Sequence, residues 1–84
     1  MITESGIRNA LTSKDFHNIS IRNDEAGWAV LATSKNANRV EFHVYGSGQI
    51  EVRTRYNTMN RGQHSLWAAD QVDLSAVLTT IAAL

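Results

Sequence analysis

The chain contains no cysteine and no proline. Without cysteine there is no disulfide framework, no thiolate nucleophile and no cysteine-based zinc site. Without proline, no X-Pro isomerisation slows folding. A surplus of one charge is also lacking, since eight Lys and Arg balance eight Asp and Glu. That balance is far from the basic footprint of a dedicated nucleic-acid binder. No apolar run approaches membrane-spanning length. The first residues, Met1-Ile2-Thr3-Glu4-Ser5, lack the basic flank and apolar run of a secretion signal. No membrane contact is expected, and a cytoplasmic location is the default.

What is present begins with a hairpin pattern. Asn38 to Asn57 alternates apolar and polar residues on both sides of Gly46-Ser47-Gly48. Alternation puts Val40, Phe42 and Val44 on one face and Arg39, Glu41, His43 and Tyr45 on the other. A three-residue loop with Gly48 left-handed closes the turn. That register sets Val44 opposite Ile50, Phe42 opposite Val52 and Val40 opposite Thr54. It also sets His43 opposite Glu51 and Glu41 opposite Arg53, two favourable cross-strand charge pairs. Apolar matching and charge matching therefore agree on one register.

Two more strands precede this hairpin. Ile19-Ser20-Ile21-Arg22 alternates, Asn23 to Gly27 is a turn by composition, and Trp28 to Thr33 is the next strand. A loop over Ser34–Asn38 pairs Thr33 with Arg39, which turns Trp28, Val30 and Ala32 inward and Leu31 outward. A one-residue slip would reverse this.

Helices flank the strands. Thr3 to Lys14 reads as a short helix with Thr3 or Ser5 as cap, Glu4 at the positive end of the dipole, and Ile7, Ala10 and Leu11 on one face. Gly6 weakens its first turn by about 1 kcal/mol relative to alanine. Asp70 caps the last helix, with Asp73 in its first turn, and Leu74, Val77, Leu78 and Ile81 follow the i, i+3, i+4, i+7 pattern. Between the hairpin and this helix, Asn57 to Ser65 has no periodicity and reads as a long loop. Trp28 and Trp67 are expected in the core and at its edge.

The expected fold class is α+β. It is a two-layer sandwich over residues 1–84 as a single domain, with a four-stranded antiparallel meander and both helices on one face (α-β-β-β-β-α). At 84 residues the core must be used efficiently, because a domain of this size buries only about 60–65% of its unfolded surface.

Signatures of chemistry are few. His17, His43 and His64 are widely spaced, none with a second metal ligand at helical spacing, so no metal or other cofactor is expected. No Gly-rich loop leads into a helix, and no Gly-x-Ser-x-Gly elbow occurs. One constellation stands out: His43, Glu51 and Arg53, with Tyr45, share the exposed face of the hairpin. A base, an acid and a guanidinium are what RNA cleavage by 2′-hydroxyl attack requires. Ordinary solvated cross-strand pairs explain the same residues, and the open face offers little desolvation to tune a base. No catalytic residue is assigned.

Charge is unevenly placed. Residues 1–34 sum to −1, residues 35–64 to +3 and residues 65–84 to −2. The middle segment is arginine-rich, and arginine and tyrosine anchor protein interfaces. The sequence therefore points to a non-enzymatic interaction domain. Its binding residues are Arg39, His43, Tyr45, Arg53, Arg55 and Arg61, on the exposed sheet face and the 57–65 loop. Arg39 and Arg55 are expected to face each other, a like-charge arrangement that suits a protein partner with an acidic surface. Its size class is that of phage or mobile-element inhibitors of host machinery, including anti-CRISPR proteins. A small RNA-cleaving toxin and a weak nucleic-acid binder are the alternatives, and a homodimer would cover the sheet edges.

Overall fold

In the computed structural model, which describes residues 2–54 and 63–84, the alternation of the hairpin becomes the centre of an antiparallel sheet. The elements in chain order are α1 (Glu4–Thr12), β1 (His17–Asp24), β2 (Gly27–Thr33), β3 (Arg39–Tyr45), β4 (Gln49–Thr54), β5 (Gln63–Trp67) and α2 (Gln71–Ile81). The sheet is a meander in the order β1-β2-β3-β4-β5. The α+β fold with a helix at each end of the chain is thus as expected from the sequence.

Register follows the reading pair by pair. Val44 lies opposite Ile50, Phe42 opposite Val52, His43 opposite Glu51 and Glu41 opposite Arg53. Across the other edge of β3, Trp28 meets Val44, Val30 meets Phe42, Ala32 meets Val40 and Thr33 meets Arg39. Gly48 takes φ +97, and its amide bonds to the Tyr45 carbonyl at 2.9 Å. The left-handed conformation needed to close the loop falls to the residue without a Cβ penalty.

The fifth strand is a correction. The stretch read as loop through Ser65 is strand from Gln63, pairing Ile50 with Leu66 and Gln49 with Trp67. Gln63-His64-Ser65 has no apolar alternation, so its strand character comes from pairing with β4 rather than from its own pattern. Residues 57–62 of the expected loop lie outside the described residues.

One side of the sheet carries the core. Val30, Ala32, Val40, Phe42, Val44, Ile50 and Val52 are buried there against Ile7 and Leu11 of α1 and Leu74, Leu78 and Ile81 of α2. Trp28 and Val77 pack partly against the same cluster. Both helices therefore lie on one face, as period-2 and period-3.6 apolar stripes require when they meet. Helix ends are closed by side chains. Thr3 Oγ1 accepts the Gly6 amide at 3.1 Å, and Asp70 Oδ1 accepts the Asp73 amide at 2.9 Å. At the far end of α1, the Phe16 amide bonds to the Leu11 carbonyl and the Asp15 amide to the Thr12 carbonyl, both at 3.1 Å. Asp15 sits at φ 64, so this is a Schellman closure with Phe16 and Leu11 as its buried apolar pair. The last helix stops at Ile81.

Gly6 has a packing role that propensity did not reveal. The Gln71 amide donates to the Gly6 carbonyl at 2.9 Å. A Cβ on residue 6 would run into the Gln71 side-chain amide. Glycine lets the start of α2 close onto the first turn of α1.

Candidate functional site

The face of the sheet away from the helices is built by the outward halves of the same alternation. On β2 the outward residues are Gly27, Ala29, Leu31 and Thr33, whose neighbours on β1 and β3 include Asp24, Arg22 and His43. Ala29, short between rows of long side chains, leaves a depression. It is a cleft of about 240 Å³ lined by residues of β1 to β4, from Ser20 and Arg22 to Glu51 and Arg53. A second hollow, of about 290 Å³, lies at the end of the sheet beside Trp28 and the Gly46–Gly48 loop.

Side chains in the first cleft pair differently from the register. His43 and Glu51 are opposite each other in the sheet, yet His43 Nε2 lies 3.0 Å from Asp24 Oδ2 and 3.3 Å from Asp24 Oδ1. Gly27, the β2 residue beside Asp24, has no side chain to block that reach. Glu51 instead accepts a hydrogen bond from the Tyr45 hydroxyl, and the Tyr45 ring lies 4.3 Å from the His43 ring. The expected His43–Glu51 pair is therefore replaced by two linked pairs, Asp24–His43 and Tyr45–Glu51.

Electrostatics follow from these contacts. The hydrogen bond from His43 holds the Asp24 carboxyl below its ordinary value, helped by the Gly27 and Ala26 amides and opposed by partial desolvation. Those amides reach Asp24 Oδ1 at 2.9 and 3.0 Å. The hydrogen bond that Tyr45 donates to Glu51 raises its hydroxyl above the ordinary value, because ionisation would remove the donated proton, and desolvation and the Glu51 charge act in the same direction. His43 Nδ1 is buried and has no hydrogen-bond partner among the described residues.

Other charges on the face form no ion pair among the described residues. Among the described residues His43–Asp24 is the one ion pair. Arg22, Glu41 and Arg53 line the cleft without one. Glu41 and Arg53 face each other in register but do not form the contact that charge matching suggested.

The expected binding residues divide into three groups. His43, Tyr45 and Arg53 are brought together at the cleft. Arg39 is not free: its guanidinium donates to the Asn18 carbonyl at 2.7 Å and to Thr33 Oγ1 at 3.0 Å. It ties β3 across β2 to the bulge of β1, where Asn18 stands at φ 50. Arg55 and Arg61, and with Arg55 the proposed facing of Arg39 and Arg55, lie outside the described residues.

Trp67 was misplaced by the sequence reading. It is 60% exposed, opposite Gln49 on the outward side of β5. Leu66 packs against the core and Ala68 is fully buried. Those two inward residues are the signal, because alternation then leaves Trp67 on the open face. Arg22, which strand alternation puts on the open face, also lines the cleft, though it was not among the expected binding residues.

Among the described residues no three His, Asp or Glu side chains converge as a metal ion would require, and no helix is long and apolar enough to cross a membrane. No protein-family model, no curated protein and no solved structure matches this chain.

Proposed function

We propose that this is a non-enzymatic interaction domain that binds a partner protein through the open face of its sheet. The observation that supports this most is Trp67. A tryptophan 60% exposed, on the face that also carries Tyr45 and Arg53, supplies the three residue types most enriched among interface hot spots. An apolar ring of that size gains nothing from water and gains much from a partner. Arg22, Glu41 and Arg53, which form no ion pair among the described residues, give the surface charges that set orientation and partner choice.

The ribonuclease reading draws little from the geometry. A general base must present a ring nitrogen to the proton it takes. His43 Nε2 is engaged by Asp24, and its Nδ1 is buried. An inhibitory role of the anti-CRISPR type, encoded by a phage or mobile element and acting in the cytoplasm, remains a proposal from size class. A homodimer is a further proposal, suited to β1 and β5 as the outermost strands of the sheet.

Capture from the lysate of the native host, with and without nuclease, tests the partner class. A species retained after nuclease treatment and lost with Trp67→Ala is the expected result. A species lost on nuclease treatment would place nucleic acid on the face instead.

A further inference from the structure

We infer that the row of the open face nearest the Gly46–Gly48 loop docks a polyproline II segment of the partner, with the pattern Pro-x-x-Pro-x-x-Arg in either chain direction. This rests on the interaction reading above and deepens it by naming the ligand chemistry. The row runs across all five strands. Asp24 on β1 faces Gly27 on β2, and Gly27 faces Tyr45 on β3. The β3–β4 register carried one residue further sets Tyr45 beside Gln49, and Gln49 faces Trp67 on β5. Trp67, Tyr45 and Asp24 therefore occupy alternate strands of one line.

Spacing selects the ligand. Neighbouring strands are about 4.8 Å apart, so Tyr45 and Asp24 stand about 9.6 and 19 Å from Trp67 along that line. Polyproline II has three residues per turn and rises about 3.1 Å per residue. Its residues i, i+3 and i+6 leave one side at intervals of about 9.3 and 18.6 Å. An extended strand presents one side at multiples of about 6.7 Å, which misses the Tyr45 position. An α-helix returns to one side after about 10.5 Å, which overshoots Asp24 by about 2 Å at the second return.

Each position has matching chemistry. Trp67, the most exposed ring on the face, takes one proline. Tyr45 is half-buried, and its ring is held by the hydrogen bond to Glu51 and the contact with His43. Little freedom is lost when a second proline packs on it. Proline segments favour such aromatic surfaces because their backbone is already ordered before binding. Gly27 has no side chain to stand between Tyr45 and Asp24. Asp24 is fixed by His43 and by the Ala26 and Gly27 amides, while its side chain stays 42% exposed. Glu25 beside it is also exposed, so two carboxylates await a cation at that end. Arg22, two residues back along β1 on the same face, opposes that cation, and removing its charge should tighten binding.

The test is a titration of isotope-labelled protein with the capped peptide Pro-Ala-Ala-Pro-Ala-Ala-Arg and with its reverse sequence, followed by amide and indole shifts. Saturable shifts at Asp24, Gly27, Tyr45 and Trp67 are expected with one of the two. Trp67→Ala should weaken binding at least about tenfold. Replacing the peptide's arginine by glutamine should weaken it about threefold on the wild type and by less on Asp24→Asn, and Arg22→Gln should tighten it by about the same factor. Thermal melts confirm that each variant is folded. Equal binding of a peptide whose second proline is moved one place, or whose arginine is replaced by glutamate, would overturn the proposal. So would shifts confined to another surface, or no shifts at all. A uridine octamer that gives the same shifts at lower concentration would also overturn it, by assigning the rings to base stacking. If the peptides fail while capture of a protein still depends on Trp67, the ligand chemistry is wrong and the interaction reading stands. If capture is also indifferent to Trp67, both fall.

Discussion

His43 Nε2 lies 3.0 Å from Asp24 Oδ2, although the residue directly across the sheet from His43 is Glu51. The contact ties the β1–β2 turn to the middle of the sheet. It also has a pH signature. The folded-state value of Asp24 is lowered, so its contribution to stability is present above the unfolded carboxyl value of about 4 and is lost as pH falls through the folded value. Asp24→Asn should flatten the acid limb of a melting-temperature profile. A profile as steep as that of the wild type would show that other carboxyl groups set the limb.

Tyr45 gives the opposite limb. Its folded value is raised, so its contribution is complete below the unfolded value of about 10 and is lost as pH rises through the folded value. Tyr45→Phe removes both the hydrogen bond and the titration. The alkaline loss of stability should become shallower, measured by urea midpoints at successive pH values.

Phe42 is 2% exposed at the centre of the core, with Val30 and Val52 as its cross-strand neighbours. Phe42→Ala should destabilise by about 3–5 kcal/mol, enough to unfold a domain of this size. Urea denaturation measures it, and a variant as stable as the wild type would mean that the buried face is misassigned.

Ala37 stands at φ 65 in the loop closed by the Ser34–Asn38 backbone hydrogen bond of 2.8 Å. Alanine has no side-chain hydrogen bond to offset a left-handed backbone. Ala37→Gly should stabilise by about 1 kcal/mol, read as a higher urea midpoint with unchanged slope.

How much of this was legible follows from where the signals lie. The hairpin register was readable because Phe42, Val44, Ile50 and Val52 agree with the charge pairs about which residues are opposite. The strand β5 was not, because Gln63-His64-Ser65 carries no alternation and is ordered by β4. The Asp24–His43 pair was not readable either. Cross-strand rules name the residue opposite, whereas this contact reaches over Gly27, the one outward residue of β2 with no side chain. Trp67 could have been placed by taking Leu66 and Ala68 as the inward pair. Arg39 looked free by pattern alone, and its hydrogen bonds to Asn18 and Thr33 depend on a bulge that the sequence of β1 does not announce.

The central claim is that the open sheet face is the binding surface. It is tested most directly by comparing capture of the partner by two variants that leave the core untouched. Trp67→Ala with Arg53→Glu alters the open face. Val72→Ser alters the exposed side of α2, where Val72 is 77% exposed. Hot-spot losses of about 2 kcal/mol or more predict that the first variant binds at least about thirtyfold more weakly. The second should bind like the wild type. Loss of binding by Val72→Ser, with the open-face variant unaffected, would contradict the account and move the interface to the helical side.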